Sequence, residues 1–199
     1  TVNAKSASKV YDGSPLTAGG TIKGLVGDET ATVKTEGSQT EVGSSDNKFV
    51  GIEWDGTAKE GNYYIQSQND GVLTVTAKGV AALEVGTLSD VVYSGVDQAQ
   101  KPEVKDGVKT LKEGTDYKVS FSKDVKNVGT VTVTVTGKGN YNGTVERTYQ
   151  ITPAKLTVTT PSKSKVYNGK ALTAEGTVSG FVNGEAAAFA TTGSQTKVG

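Results

Sequence analysis

Residues 1–43 return as residues 157–199 without insertion or deletion, and this internal copy constrains the fold more than any other feature. SKVYDG at 8–13 becomes SKVYNG at 164–169, and TEGSQTEVG at 35–43 becomes TTGSQTKVG at 191–199. A chain that repeats itself at fixed spacing is an array of small units. Such arrays serve reach, spacing or multivalency rather than one enclosed catalytic cavity. Between the copies lies a different unit with the same punctuation. Val10-Tyr11-Asp12-Gly13, Val42-Gly43 and Gly61-Asn62-Tyr63 are answered by Val92-Tyr93-Ser94-Gly95, Val128-Gly129 and Gly139-Asn140-Tyr141. This order predicts three modules: A over 1–76, B over 77–153, and A′ over 154–199, a truncated second copy of A without the part matching 44–76. The links between them are short and predict an elongated, end-to-end array.

Units shorter than about 80 residues lie near the lower limit for a self-sufficient core. Hydrophobic residues make up 34% and glycines number 26. With abundant threonine and valine, this is a strand-and-turn composition. Cysteine and histidine are absent. Their absence removes disulfides, Cys-based zinc sites, HExxH motifs and Ser-His-Asp or Cys-His triads. No catalytic residue, cofactor site or metal site is expected, and the chain reads as non-enzymatic. Lys plus Arg and Asp plus Glu are 21 each and interspersed. With no basic stripe, neither nucleic acid nor an anionic membrane is the expected partner. No apolar run approaches the roughly 20 residues of a membrane span. A chain free of cysteine and methionine suits an extracellular position at a cell surface or cell wall.

Period-two alternation marks the strands. TVTVTVT at 130–136 puts Val131, Val133 and Val135 on one face, and DYKVSFS at 116–122 does the same for Tyr117, Val119 and Phe121. A hairpin is predicted over 130–151, and a turn at Asn69-Asp70-Gly71 before a closing strand over 72–76. The only helix-like run, 184–190, aligns with the β-branched 28–34 and is expected to be a strand. The fold class is therefore all-β, a tandem array of small antiparallel β-sandwich modules. The alternative is a β-grasp-like module with a helix across one sheet.

These motifs resemble known families. The KxYDG opening, the GLVGDE run at 24–29, the mid-module VG, GNY and the terminal LTVT of A resemble the YDG or MBG type repeats of bacterial extracellular proteins. B, with YSG, Lys105-Asp106-Gly107, 111–121 and 127–143, is similar to another repeat of Gram-positive surface proteins. The resemblance implies immunoglobulin-like or related modules in a cell-wall-attached or secreted adhesin-like protein, with no activity implied. Host glycoprotein or polysaccharide is the implied partner class. One rival function is a carbohydrate-binding module; another is an accessory region of a secreted glycan-active enzyme.

The candidate ligand site is Trp54, Tyr63 and Tyr64, an aromatic platform for a sugar with Glu53 and Asp55 beside it. The competing reading makes Trp54 a core aromatic and Tyr63 scaffold, since the GNY tyrosine recurs as Tyr141. Asp28, Glu29, Glu53 and Asp55 read as solvated charges. Asn168 replaces Asp12 in A′, so the acid there is a turn former rather than a metal or catalytic group. Some surface domains of the kind these motifs resemble carry Lys–Asn isopeptide crosslinks. Lys9 with Asn62 and Lys78 with Asn140 are the candidate pairs, set against plain turn roles for both asparagines. In A′, apolar rows around Val166, Leu172, Val178, Phe181 and Phe189 lack an opposing layer. Cover is expected from the end of B or from self-association.

Overall fold

A computed structural model describes residues 1–122 and 124–199. In module A the strands are β1 (Val2–Ala4), β2 (Ala7–Val10), β3 (Gly20–Ile22), β4 (Thr32–Glu36), β5 (Gly43–Glu53), β6 (Gln68–Asn69) and β7 (Gly71–Thr76). They form a three-stranded sheet, β3-β1-β6, and a four-stranded sheet, β2-β7-β5-β4. The two sheets meet where β1 lies against β5 and β3 against β4. Alternation drives the packing: Leu73 and Val75 of β7 point inward and are buried with Val2, Ala4 and Val33. Each fully buried aliphatic side chain of this kind stabilises the fold by about 1.5–3 kcal/mol. One polar residue joins them. Asn47 of β5 is fully buried and donates through Nδ2 to the carbonyls of Lys5 at 2.9 Å and Ala18 at 2.8 Å, tying two loops to the sheet.

Two expectations are corrected in A. The sheets are mixed, because β1 pairs with β6 and β2 with β7 in parallel. Each opening strand lies beside one from the far end of the module, a neighbour that alternation cannot specify. Nor do Asn69-Asp70-Gly71 form the expected turn. There the chain leaves β6 in one sheet for β7 in the other, and Asp70 Oδ1 accepts the Phe49 N–H at 2.8 Å.

Module B contains β8 (Lys78–Gly79), β9 (Glu84–Val85), β10 (Val91–Val92), β11 (Val104–Asp106), β12 (Lys109–Thr110), β13 (Tyr117–Phe121), β14 (Gly129–Gly137), β15 (Tyr141–Asn142) and β16 (Thr144–Thr152). Its sheets run β10-β16-β14-β13 and β12-β11-β9. Val131, Val133 and Val135 of β14 are fully buried, and Tyr117, Val119 and Phe121 alternate with exposed Lys118 and Ser120. β10 again pairs in parallel with the closing strand, and the Tyr93 N–H donates to Thr152 O as the Tyr11 N–H does to Thr76 O, both at 2.8 Å. Short 3-10 turns at Glu60–Asn62 and Val80–Ala82 are the helical segments among the described residues, so the chain is all-β.

The chain divides into two compact units. The first comprises Thr1–Val85, Glu103–Val119 and Val135–Val145. Its core joins Tyr11 and Val75, at the trailing end of A, to Val80, Val104, Leu111 and Tyr141, at the leading end of B. The Tyr11 and Tyr141 rings meet edge to face, centroids 5.6 Å apart and planes at 80°, a favoured aromatic geometry. Asn140 Oδ1 accepts the Val42 N–H at 2.9 Å, and its amide donates to Glu41.

The second unit comprises Gly86–Pro102, Ser120–Thr134 and Glu146–Gly199. In A′, β17 (Thr157–Thr159) and β18 (Thr177–Ser179) pair antiparallel, Val158 opposite Val178 just as Val2 lies opposite Ile22. Residues 184–190 form neither helix nor strand, which corrects the expected strand. The corresponding β4 pairs with β5, and A′ has no counterpart of β5. The trailing end of B touches the tip of A′: Tyr93 donates its hydroxyl to Glu185, and Asn183 Nδ2 donates to Gly95 O at 2.7 Å. Behind that tip Val166 and Phe189 are exposed, whereas Leu172, Val178 and Phe181 are half-buried.

Candidate functional site

The three candidate aromatics converge at the leading end of module A. Trp54 follows the end of β5 and Tyr63 follows the 3-10 turn Glu60–Asn62. Their rings stack with centroids 6.0 Å apart and planes at 14°. Together with Tyr64, Leu25, Ile52 and Asn62 they line an open cavity of about 260 Å³. Trp54 is half-buried rather than a core residue, which corrects the core reading, and Tyr64 is exposed. Tyr63 is fixed from its hydroxyl, which donates to Glu29 and accepts the Val26 N–H at 3.0 Å. The hydrogen bond to the Glu29 carboxylate raises the Tyr63 phenol above its ordinary pKa. The site thus offers a rigid aromatic wall, a side-chain amide at Asn62 and apolar flooring.

Glu53 and Asp55 do not line this cavity. Glu53 pairs with Lys34 at 3.1 Å, and Asp55 accepts the Thr32 hydroxyl at 3.0 Å. Among the described residues no three His, Cys, Asp or Glu side chains gather as a metal set. Asp12 Oδ1 accepts from Lys9 Nζ at 2.6 Å and from the Ser14 N–H and hydroxyl at 2.9 and 2.8 Å. These bonds, Lys9 first, hold its carboxyl well below the usual carboxylate range. In A′, Asn168 Oδ1 takes the Lys170 N–H at 3.2 Å and the turn persists. Gly13, Gly95 and Gly169 all adopt left-handed φ values of 79°, 75° and 72°, which is why the third position of the Y-x-G turn stays glycine.

The candidate crosslink residues make other contacts. Lys9 Nζ is held by Asp12 and Ser14, and Lys78 Nζ lies 2.5 Å from Asp106, while the Asn140 amide serves Val42 and Glu41. The two GNY tyrosines have different fates. Tyr141 is buried, with its hydroxyl 3.2 Å from Asp106, and burial followed by the Asp106 charge pushes its phenol up. Sequence reasoning missed Glu29 and Leu25 as parts of the site. A signal existed: GLVGDE returns as GFVNGE at 180–185, keeping the glutamate while its neighbours change. The chain matches no known family model and no curated relative.

Proposed function

We propose that this chain is a non-enzymatic repeat region of a bacterial extracellular surface protein, built of small immunoglobulin-like sandwich modules of the YDG or MBG type and related repeats. Its modules give reach from the cell wall and a surface for attachment to host glycoprotein or polysaccharide. The supporting observation is the A-to-B joint. A stalk has to transmit load from module to module, and Tyr11 and Val75 of one module are buried in the core of the next. The paired sheets of A and B and the constant Y-x-G turn support the sandwich array. A double-mutant cycle on Tyr11→Ala and Tyr141→Ala tests the joint. The reading expects a coupling of about 0.5–1.5 kcal/mol, the usual worth of an aromatic pair beyond its area. Strictly additive losses would contradict it.

A second reading, carbohydrate binding by module A, is favoured by the Trp54–Tyr63 stack and the exposed Tyr64. A glycan array probed with the full chain and with Trp54→Ala separates the two. Binding that Trp54→Ala abolishes favours the sugar site.

A further inference from the structure

The leading ends of B and A′ each contact the module before them in this chain. At the leading end of B, the GNY motif receives module A: Tyr141 packs on Tyr11, and Asn140 takes the backbone N–H of Val42 from the V-G pair. Tyr63 and Asn62 are the same GNY residues in A, and both line the open cavity. At the leading end of A′, the loop 180–185 receives module B through Tyr93 and Gly95. That loop is the second copy of 24–29, and its backbone is preserved. Gly24 and Gly180 have φ of 102° and 104°, and Gly27 and Asn183 have 57° and 51°. A turn bond recurs as well, Glu29 N–H to Val26 O at 3.3 Å and Glu185 N–H to Val182 O at 3.0 Å.

We infer that the leading face of module A, between Leu25, Trp54, Asn62 and Tyr63, is a docking site for the trailing end of a B-type module presenting Tyr93, Gly95 and Val128. The occupant follows from the repeat. The segment of A′ that copies this face meets module B, so the face of A is shaped for the same end. The B-to-A′ joint is only half formed, with a gap of about 240 Å³ lined by Tyr93, Val128, Phe181 and Glu185. A′ has no counterparts of Trp54 and Tyr63, the rings that wall the cavity of the complete module. Charge and hydrogen bonding agree. Tyr63 uses Oε2 of Glu29, and Tyr93 uses Oε1 of Glu185, so one carboxylate accommodates both phenols. This docking rests on the array reading above and assigns Trp54 to module coupling rather than to sugar.

The test joins residues 1–156 directly to the full 1–199 sequence, so that a complete A follows B across the native link, with Thr1 in the place of Thr157. Trp54→Phe in the leading copy leaves a single reporter, Trp54 of the second A. Acrylamide quenching of that indole is expected to fall about two-fold relative to the parent chain, as a half-buried ring becomes covered. Tyr93→Ala in the leading B is expected to restore the parent value, and Tyr93→Phe, which keeps the ring, to restore only part of it. Quenching equal to the parent's overturns the docking, as does protection that survives Tyr93→Ala. Tyr11–Tyr141 coupling is read separately, so docking can fail while the array reading stands.

Discussion

Residues 1–43 and 157–199 share sequence and local structure but differ sharply in burial. The Leu16–Gln39 bridge reappears as Leu172–Gln195, with N–H···O distances of 2.9 and 3.1 Å in the first copy and 2.8 and 3.1 Å in the second. The Thr35 hydroxyl bonds Ala18 O at 2.7 Å, and that of Thr191 bonds Ala174 O at 2.8 Å. Yet Tyr11 is 7% exposed and Tyr167 63%, and Val2 is 2% exposed and Val158 57%. The two differences have separate causes. Val2 is covered by the module's own later strands, whereas Tyr11 is covered by the next module. Hydrogen bonds and turns are therefore written locally, and burial, the dominant stabilising term, is supplied from elsewhere in the array.

The largest expected effect comes from matched truncations. Tyr11→Ala should destabilise the first unit by about 3–5 kcal/mol, as for other large buried aromatics, while Tyr167→Ala should stay within about 0.5 kcal/mol of the parent. Thermal or urea unfolding of the two variants reads this directly, and equal losses would break the comparison. Next is Asn47→Ala, which strips the loop carbonyls of Lys5 and Ala18 of their buried donor. A loss of about 1–3 kcal/mol is expected in denaturant titration. Trp54→Ala should cost less, about 1–2 kcal/mol, because the indole is only half-buried. A larger loss would restore the core reading.

The smallest effect is electrostatic. Asp12 has its carboxyl pKa lowered from 3.8 in the folded chain. Between the folded and unfolded values the unfolded state binds more protons, so stability rises with pH there. The contribution is fully present above the ordinary carboxylate value and is lost as pH falls through the folded one. Asp12→Asn, the residue A′ already carries, should remove that contribution, so the variant melts slightly below the parent at neutral pH and the two converge as pH falls through the folded value, as acid titration of the two chains would show.

Much of the fold was legible because alternation reports which face is inward. Val131, Val133 and Val135 are buried as their spacing predicts, and β14 and β16 flank Gly137 and Gly143 as the hairpin expected. Strand neighbours were less legible. The parallel pairs β2–β7 and β10–β16 join residues from opposite ends of a module, and period-two patterning carries no information about such partners. The candidate site was half legible. Trp54, Tyr63 and Tyr64 do share one cavity, but nothing local to Tyr63 and Tyr141 distinguishes a half-buried ring from a buried one. Tyr141 has a preceding module's tyrosine packed on it.

Residue-resolved amide hydrogen exchange on the full chain tests the central claim most directly, at Leu16 and Gln39 against Leu172 and Gln195. These four N–H groups make the same bonds in the two copies. If burial supplied by later strands and the next module decides stability, Leu16 and Gln39 should exchange about a hundred-fold or more slowly than their counterparts, because local opening tracks packing rather than bond geometry. Equal protection in the two copies would contradict the account.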